Sequence, residues 1–277
     1  MNADNAATLH PLDLATALSG EGGQYSGQTS AGYANMVGPF GGVIAATLQR
    51  AVMQHPERLG EPVALTVNFA APIADGDFNV VARPARTSRS TQHWTMELSQ
   101  GGQVSATATA ITALRRETWD ATDLPFPPAP AMDGLPSLKG LPGLPKWVGR
   151  YDLRLVRGGI PPLPQHDKPQ VDSSETLLWV RDEPPRPLDF VALASICDVF
   201  FPRSFIRRQR MAMAGTVSMT VYFHADAAAL AAHGERELLA HARGLRFHGG
   251  YFDQAAEIWS PEGVLLATSN QVVYFKE

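Results

Sequence analysis

Apolar residues in this chain follow two patterns: short runs that alternate or continue for several residues, and two longer blocks that are apolar nearly all round. The short runs are rich in β-branched and aromatic residues and are bounded by glycine and aspartate turns. In the first half they cover residues 63–69, 79–85, 93–98 and 103–113, broken by Asp75-Gly76-Asp77 and Gly101-Gly102. In the second half they cover 215–223, 237–243, 251–259 and 264–275. One long block precedes each set. The first, 39–53, begins at a Gly-Pro break and stops before His55-Pro56, and the second, 187–201, stops before Pro202. The spacing predicts two helices without a polar face, which other structure must cover on most sides. Consecutive strands joined by tight turns imply an antiparallel sheet, and one helix ahead of each set implies an α+β fold.

The halves also match in sequence. Residues 63–72 lie against 217–226 at an offset of 154 (217 − 63), with Val63/Val217, Thr66/Thr220, Val67/Val221, Phe69/Phe223 and Ala71/Ala225 identical. Residues 102–111 lie against 263–272 at an offset of 161 (263 − 102). Seven extra residues must therefore fall between the two matches, and 226–235 is the natural place, a helical excursion ended by Gly234. Same order and one explicable length change point to duplication. Fourteen of the 22 prolines lie between Pro125 and Pro187. Proline fixes φ and removes a donor, so stretches such as Pro125 to Pro130 and Ile160 to Pro164 read as extended connectors. Two islands in this tract, 151–156 and 176–180, read as the first strands of the second half. The organisation expected is a first unit over 1–117, a linker over 118–146 and a second unit over 147–277.

Composition narrows the function. At 277 residues, 44% hydrophobic and 18% charged, the chain reads as an ordinary globular protein. A net charge of −4 supplies no global field for nucleic acid or an anionic membrane. One cysteine, Cys197, excludes an internal disulfide framework and a four-thiolate zinc site. No run of eighteen apolar residues occurs, and the first twenty residues carry Asp4 and Asp13 without a basic leader, so a cytoplasmic protein is expected. There is no Gly-x-Ser-x-Gly elbow, P-loop or clustered His-Cys spacing, and no metal or other cofactor is expected.

Asp198 is the anomaly. It is the only acid between Phe190 and Phe201, where nearly every other side chain is apolar. A carboxylate on a wrapped helix is desolvated, which costs several kcal/mol unless it is hydrogen-bonded or shifts its pKa. With hydroxyl and amide neighbours it can hold a water and take its proton. The alternative ends the helix near Ile196 and leaves Asp198 at a wet edge. Cys197, one residue away, points to another side and reads as a core thiol.

The segments Gly38-Pro-Phe-Gly-Gly-Val-Ile-Ala-Ala46, Val67-Asn-Phe-Ala-Ala-Pro72 and Ala267-Thr-Ser-Asn-Gln-Val272 resemble the acyl-CoA thioesterase II (TesB-like) family, over about 25–274. The resemblance implies a double hotdog, in which each repeat is an antiparallel sheet wrapped around one helix. It also implies hydrolysis of fatty acyl-CoA to acid and CoA without a cofactor. Its catalytic trio falls on Asp198, Thr216 and Gln271, and its aromatic-Phe-His stretch on Tyr222-Phe-His224, with His224 a substrate contact or a structural histidine. A homodimer is expected by resemblance only. The first half lacks the trio: Ala110 stands for Gln271, Pro62 for Thr216, and no acid lies between Phe40 and His55.

A thioester oxygen turning into an oxyanion suits the N–H groups at a helix start, so Gly42, with Gly41 or Val43, is the candidate donor. Glycines that merely permit close packing are the alternative. CoA carries phosphates, and the densest basic stretch, 202–210, offers Arg203, Arg207 and Arg208; a solvated loop is the plainer reading there. Two other functions remain open: a non-catalytic acyl-CoA or lipid binder, and a hotdog enoyl-CoA hydratase. The hydratase pattern of Asp followed five residues later by His meets arginine at 203, which argues against it.

Overall fold

The strands of both halves join one sheet. The computed structural model describes residues 9–159 and 169–276, so the first eight residues and the prolines at 161–164 lie outside the described residues. The first half holds α1 (Pro11–Ala15), β1 (Ser19–Glu21), β2 (Gln24–Gln28), α2 (Gly41–Met53), β3 (Glu61–Phe69), β4 (Asp77–Thr87), β5 (Thr91–Gln100) and β6 (Gln103–Ala113). The second opens with β7 (Tyr151–Arg157), β8 (Thr176–Asp182), α3 (Phe190–Ile196), α4 (Arg203–Arg208) and β9 (Met213–Phe223). It closes with α5 (Ala227–His233), β10 (Leu238–Arg243), β11 (Phe247–His248), β12 (Tyr251–Trp259) and β13 (Leu265–Lys276). The sheet runs β1-β2-β4-β5-β6-β3-β9-β13-β12-β10-β8-β7, with β11 beside β12.

The seam is β3 against β9, antiparallel, with Thr66 opposite Thr220 and their hydroxyls 2.9 Å apart. These two threonines are repeat equivalents at the 154 offset. A strand position paired with its own equivalent marks a twofold axis, so the halves are related by a pseudo-twofold through this pair. Both halves carry a bulge next to the seam, leaving Val63 unpaired in β3 and its equivalent Val217 unpaired in β9. The length difference also falls as expected: α5 has seven residues, Asp226 caps its start by accepting from the Ala229 N–H, and Gly234 follows its end at φ 67°.

The two central helices pack on each other and against the sheet, α2 against β3–β6 and α3 against β8. On α2, Val43, Ile44, Ala45, Ala46 and Leu48 are all buried, as a helix without a polar face requires. The second helix is shorter than the expected 187–201. It starts at Phe190 because the Asp189 carboxylate accepts from the Ala192 N–H at 2.7 Å, an N-cap. It stops at Ile196, where the N–H groups of Asp198 and Val199 bond back only three residues, to Ser195 and Ile196. Phe200 and Phe201 beyond it turn aside into the core. The 202–210 stretch is likewise not all loop, since α4 occupies most of it.

The proline-rich tract covers a face of the sheet. Leu178 and Val180 belong to the main core, while Leu177 and Trp179 point the other way and cluster with Leu239, Trp259 and Met132. The Trp179 indole N–H donates to Pro130 O at 2.8 Å, and Phe126 meets Trp259 edge-on at 5.7 Å. Polar β1 and β2 extend the first half's edge and show no hydrophobic alternation to betray them. Among the described residues no helix is long and apolar enough to cross a membrane. Trp179→Ala should cost about 3–5 kcal/mol in denaturant unfolding, the range for removing a large buried aromatic. It should also expose the tract around Met132 to proteolysis; resistance equal to the parent would show that the tract is not held there.

Candidate active site

Asp198 lies one residue past the Cys197 cap of α3, and its carboxylate turns toward α2 and β13. It accepts from the Gln271 amide nitrogen at 2.8 Å and from the Gly42 backbone N–H. Gln271 reaches it because alternation along β13 puts Ser269, Gln271 and Val273 on the inner face, all buried. Thr216 gets there by the bulge. Val272 pairs with Ser218 and Val273 with Thr216, so Val217 is skipped and the side chains switch faces. An unbroken strand would hold Thr216 on the outer face with Ser218 and Thr220. Instead its hydroxyl donates to the Gln271 amide oxygen at 3.3 Å.

Asp198, Thr216 and Gln271 line one cavity of about 780 Å3. Its walls are mostly apolar, with Phe40, Phe69, Trp147, Phe200 and Phe205 among them. Phe40 stacks on Trp147 at 4.3 Å. Burial pushes the Asp198 carboxyl up to about 7, against the pull of the Gln271 and Gly42 hydrogen bonds toward the charged form. The acid is thus past the helix end, as the alternative reading had it, but walled by the cavity and not at an open edge. Cys197 is fully buried, and burial raises its thiol, so it is a core residue.

The other candidate residues separate. Gly41 borders the cavity, and a Cβ there would come within 2.8 Å of the Asp198 carboxylate. Gly42 does not face the cavity: its N–H is spent on Asp198, and a Cβ would meet Ser195 O at 2.6 Å. The Val43 N–H bonds Phe40 O at 3.2 Å, and the side chain is buried. Gly42 and Val43 are therefore not free donors. His224 is absent from the cavity wall; it follows β9, roughly 25 Å along the strand from Thr216 at about 3.3 Å per residue. Its ring bonds the Thr268 hydroxyl at 3.0 Å, and burial lowers its pKa.

Arg203 cannot reach a phosphate in solvent. It is fully buried at the start of α4, bonded to Gln254 Oε1, Ser174 O, Thr176 Oγ1 and Phe201 O, and burial brings its pKa down to about 9. Arg207 and Arg208 line a second cavity, of about 720 Å3, with Arg243 and Arg246. One wall residue of the first cavity escaped sequence reasoning. Gln254 is buried on β12 directly opposite Gln271. The signal was its place between Phe252 and Ala256 on a strand face that is otherwise apolar. No cluster of three or more His, Cys, Asp or Glu able to hold a metal occurs among the described residues.

Models of the acyl-CoA thioesterase N-terminal and C-terminal domains match residues 30–113 and 121–275. The chain belongs to the acyl-CoA thioesterase family. Membership makes it a thioester hydrolase by class, and the family's double-hotdog fold is the one described above. Among solved structures, a hotdog-fold protein of Alicyclobacillus acidocaldarius is 48% identical, covering 98% of this chain and 99% of that one, at a TM-score of 0.92. The acyl-CoA thioesterase II TesB2 of Mycobacterium marinum is 19% identical, covering 96% and 98%, at 0.73. The tesB protein of Mycobacterium avium subsp. paratuberculosis is 16% identical, covering 96% and 98%, at 0.74. These last two show the fold alone. A search of curated proteins found no match.

In this family member, Gln271→Ala removes a donor that favours the ionised acid, so the Asp198 carboxyl should titrate above about 7. Carbon NMR of labelled aspartates reads this directly, and a lower value would contradict the arrangement. The raised carboxyl also fixes a sign. The folded state keeps a proton that the unfolded state loses near pH 4, so Asp198 contributes a loss of stability as pH rises from about 4 to about 7.

Proposed function

We propose that this chain hydrolyses acyl-CoA to free acid and CoA, with Asp198 as general base. The observation that carries the reading is the Asp198 carboxyl, raised to about 7, bonded to Gln271 and facing an apolar cavity shared with Thr216. A carboxylate only accepts, so Gln271 turns its nitrogen to Asp198 and its oxygen to Thr216. The Thr216 hydroxyl, donating to Gln271, keeps lone pairs for a water proton. A water between Thr216 and Asp198 attacks the thioester carbon. Asp198 takes its proton as the C–O bond forms, the tetrahedral intermediate expels sulfur, and Asp198 passes the proton to the departing thiolate. A pKa near 7 serves both transfers, because a free thiol titrates at about 8.5.

The Gly41 N–H at the head of α2 faces the developing oxyanion, where the helix dipole assists it. The acyl chain fills the aromatic part of the cavity. Arg207 and Arg208 hold the CoA phosphates, a local cationic site on a chain of net charge −4. In this reading the first unit (1–117) supplies Gly41, the second (147–277) supplies the acid, and 118–146 joins them.

A free-thiol assay on acyl-CoAs of graded length tests the reading. Asp198→Asn should lower turnover at least about a hundredfold, the scale of losing a general base. The parent's kcat/KM should rise with pH to about 7 and then level, since the base must be ionised. A parent that binds acyl-CoA but releases no thiol would make it a binder instead. Arg207→Ser with Arg208→Ser should raise KM for acyl-CoA at least about tenfold, the worth of one charge-assisted bond. An acyl-pantetheine lacking the nucleotide should be unaffected, and an equal rise for both substrates would remove these arginines from phosphate binding.

A further inference from the structure

Gln254 takes no part in the trio of Asp198, Thr216 and Gln271, yet it lines their cavity at 2% exposure. It is the cross-strand neighbour of Gln271, and directly opposed residues share a sheet face with Cβ atoms about 5 Å apart. Its orientation is determined. Arg203 Nε donates to Gln254 Oε1 at 2.9 Å, and a guanidinium can only donate, so the amide oxygen faces Arg203. The –NH2 end is then left to the cavity, with no protein acceptor for it among the described residues. A donor pair open to the cavity and without a protein acceptor is free to meet an acceptor on a ligand there.

The surroundings of Arg203 sharpen the point. Its four hydrogen-bond acceptors are two carbonyls, a hydroxyl and the Gln254 amide, none of them charged. A glutamate at 254 would give that buried cation a counter-ion. The amide differs from glutamate at one end only, by the two N–H donors aimed into the cavity. Strand order supplies the direction: β13 with Gln271 runs between β9, which carries Thr216, and β12, which carries Gln254. Thr216 and Gln254 thus flank Gln271 from opposite sides.

We infer that Gln254 is a further catalytic residue, donating from Nε2 to the thioester carbonyl oxygen, and that Arg203 is the positioning residue that turns it there. The inference rests on the hydrolytic reading of the Asp198 cavity. Water is held on the β9 side and the carbonyl oxygen on the β12 side, so charge developing on that oxygen meets the Gln254 donors and the Gly41 N–H together. Such a donor acts mainly in the transition state.

Steady-state kinetics of Gln254→Met and Gln254→Glu with acyl-CoA, beside thermal unfolding, test this. Both variants keep the side-chain length. Each should lose at least about tenfold in kcat on the high-pH plateau while KM stays within about threefold. Gln254→Glu should match or exceed the parent's Tm, because Arg203 gains a counter-ion; it therefore decides the matter if Gln254→Met does not fold. Arg203→Lys, which keeps the charge but loses the Nε donor, should show the same split in kcat. Parental kcat in either folded Gln254 variant, or a loss confined to KM, overturns the role. Asp198→Asn is assayed in parallel. Full turnover there would remove Asp198 as the base, and a parent that releases no thiol would sink the hydrolytic reading itself, whereas loss in Asp198→Asn beside active Gln254 variants sinks this inference alone.

Discussion

The hydrogen bond from the Gly42 N–H to the Asp198 carboxylate joins the first repeat to the acid of the second. Helix α2 gives up an N–H that helix geometry leaves without an intrahelical partner, and the desolvated carboxylate gains a donor. For that exchange α2 and the end of α3 must approach very closely. Glycine at 42 permits it, since a Cβ would strike Ser195 O, and glycine at 41 leaves room for the carboxylate itself. This contact between halves holds Asp198 beside Gln271, and burial there raises the carboxyl against the pull of both hydrogen bonds. It in turn requires the continuous sheet, in which β3 and β9 meet at Thr66 and Thr220.

Around the pseudo-twofold the backbone is more symmetrical than the chemistry. The bulges at Val63 and Val217 are equivalent, and both redirect the residue before them. In the second half that residue is Thr216, a hydroxyl on the cavity; in the first it is Pro62, which offers no donor. Ala110 stands where the second half has Gln271. The geometry able to assemble such a site was thus kept twice and furnished with polar groups once.

Much of this was legible in the sequence. Strand runs, the two apolar helices, the repeat, its seven-residue excursion and the meeting of Asp198, Thr216 and Gln271 are all in the chain's pattern and its family likeness. What escaped has physical reasons. The end of α3 is set by three-residue-back hydrogen bonds and by phenylalanines turning into the core, neither of which periodicity reports. Arg203 looked like a surface cation because composition cannot reveal four buried acceptors from separate segments. His224 followed the right strand, but strand length carries it far from the cavity. The proline-rich tract read as connector because its cover over Trp179 and Trp259 is made with single side chains and one carbonyl.

The division of labour at α2 has a structural consequence. Two copies of the second repeat alone would carry two acids and no Gly41-Gly42 helix head to receive them, and two copies of the first would carry the helix heads and no acid. Gly42 and Asp198 depend on each other, so neither repeat paired with a copy of itself would complete the site.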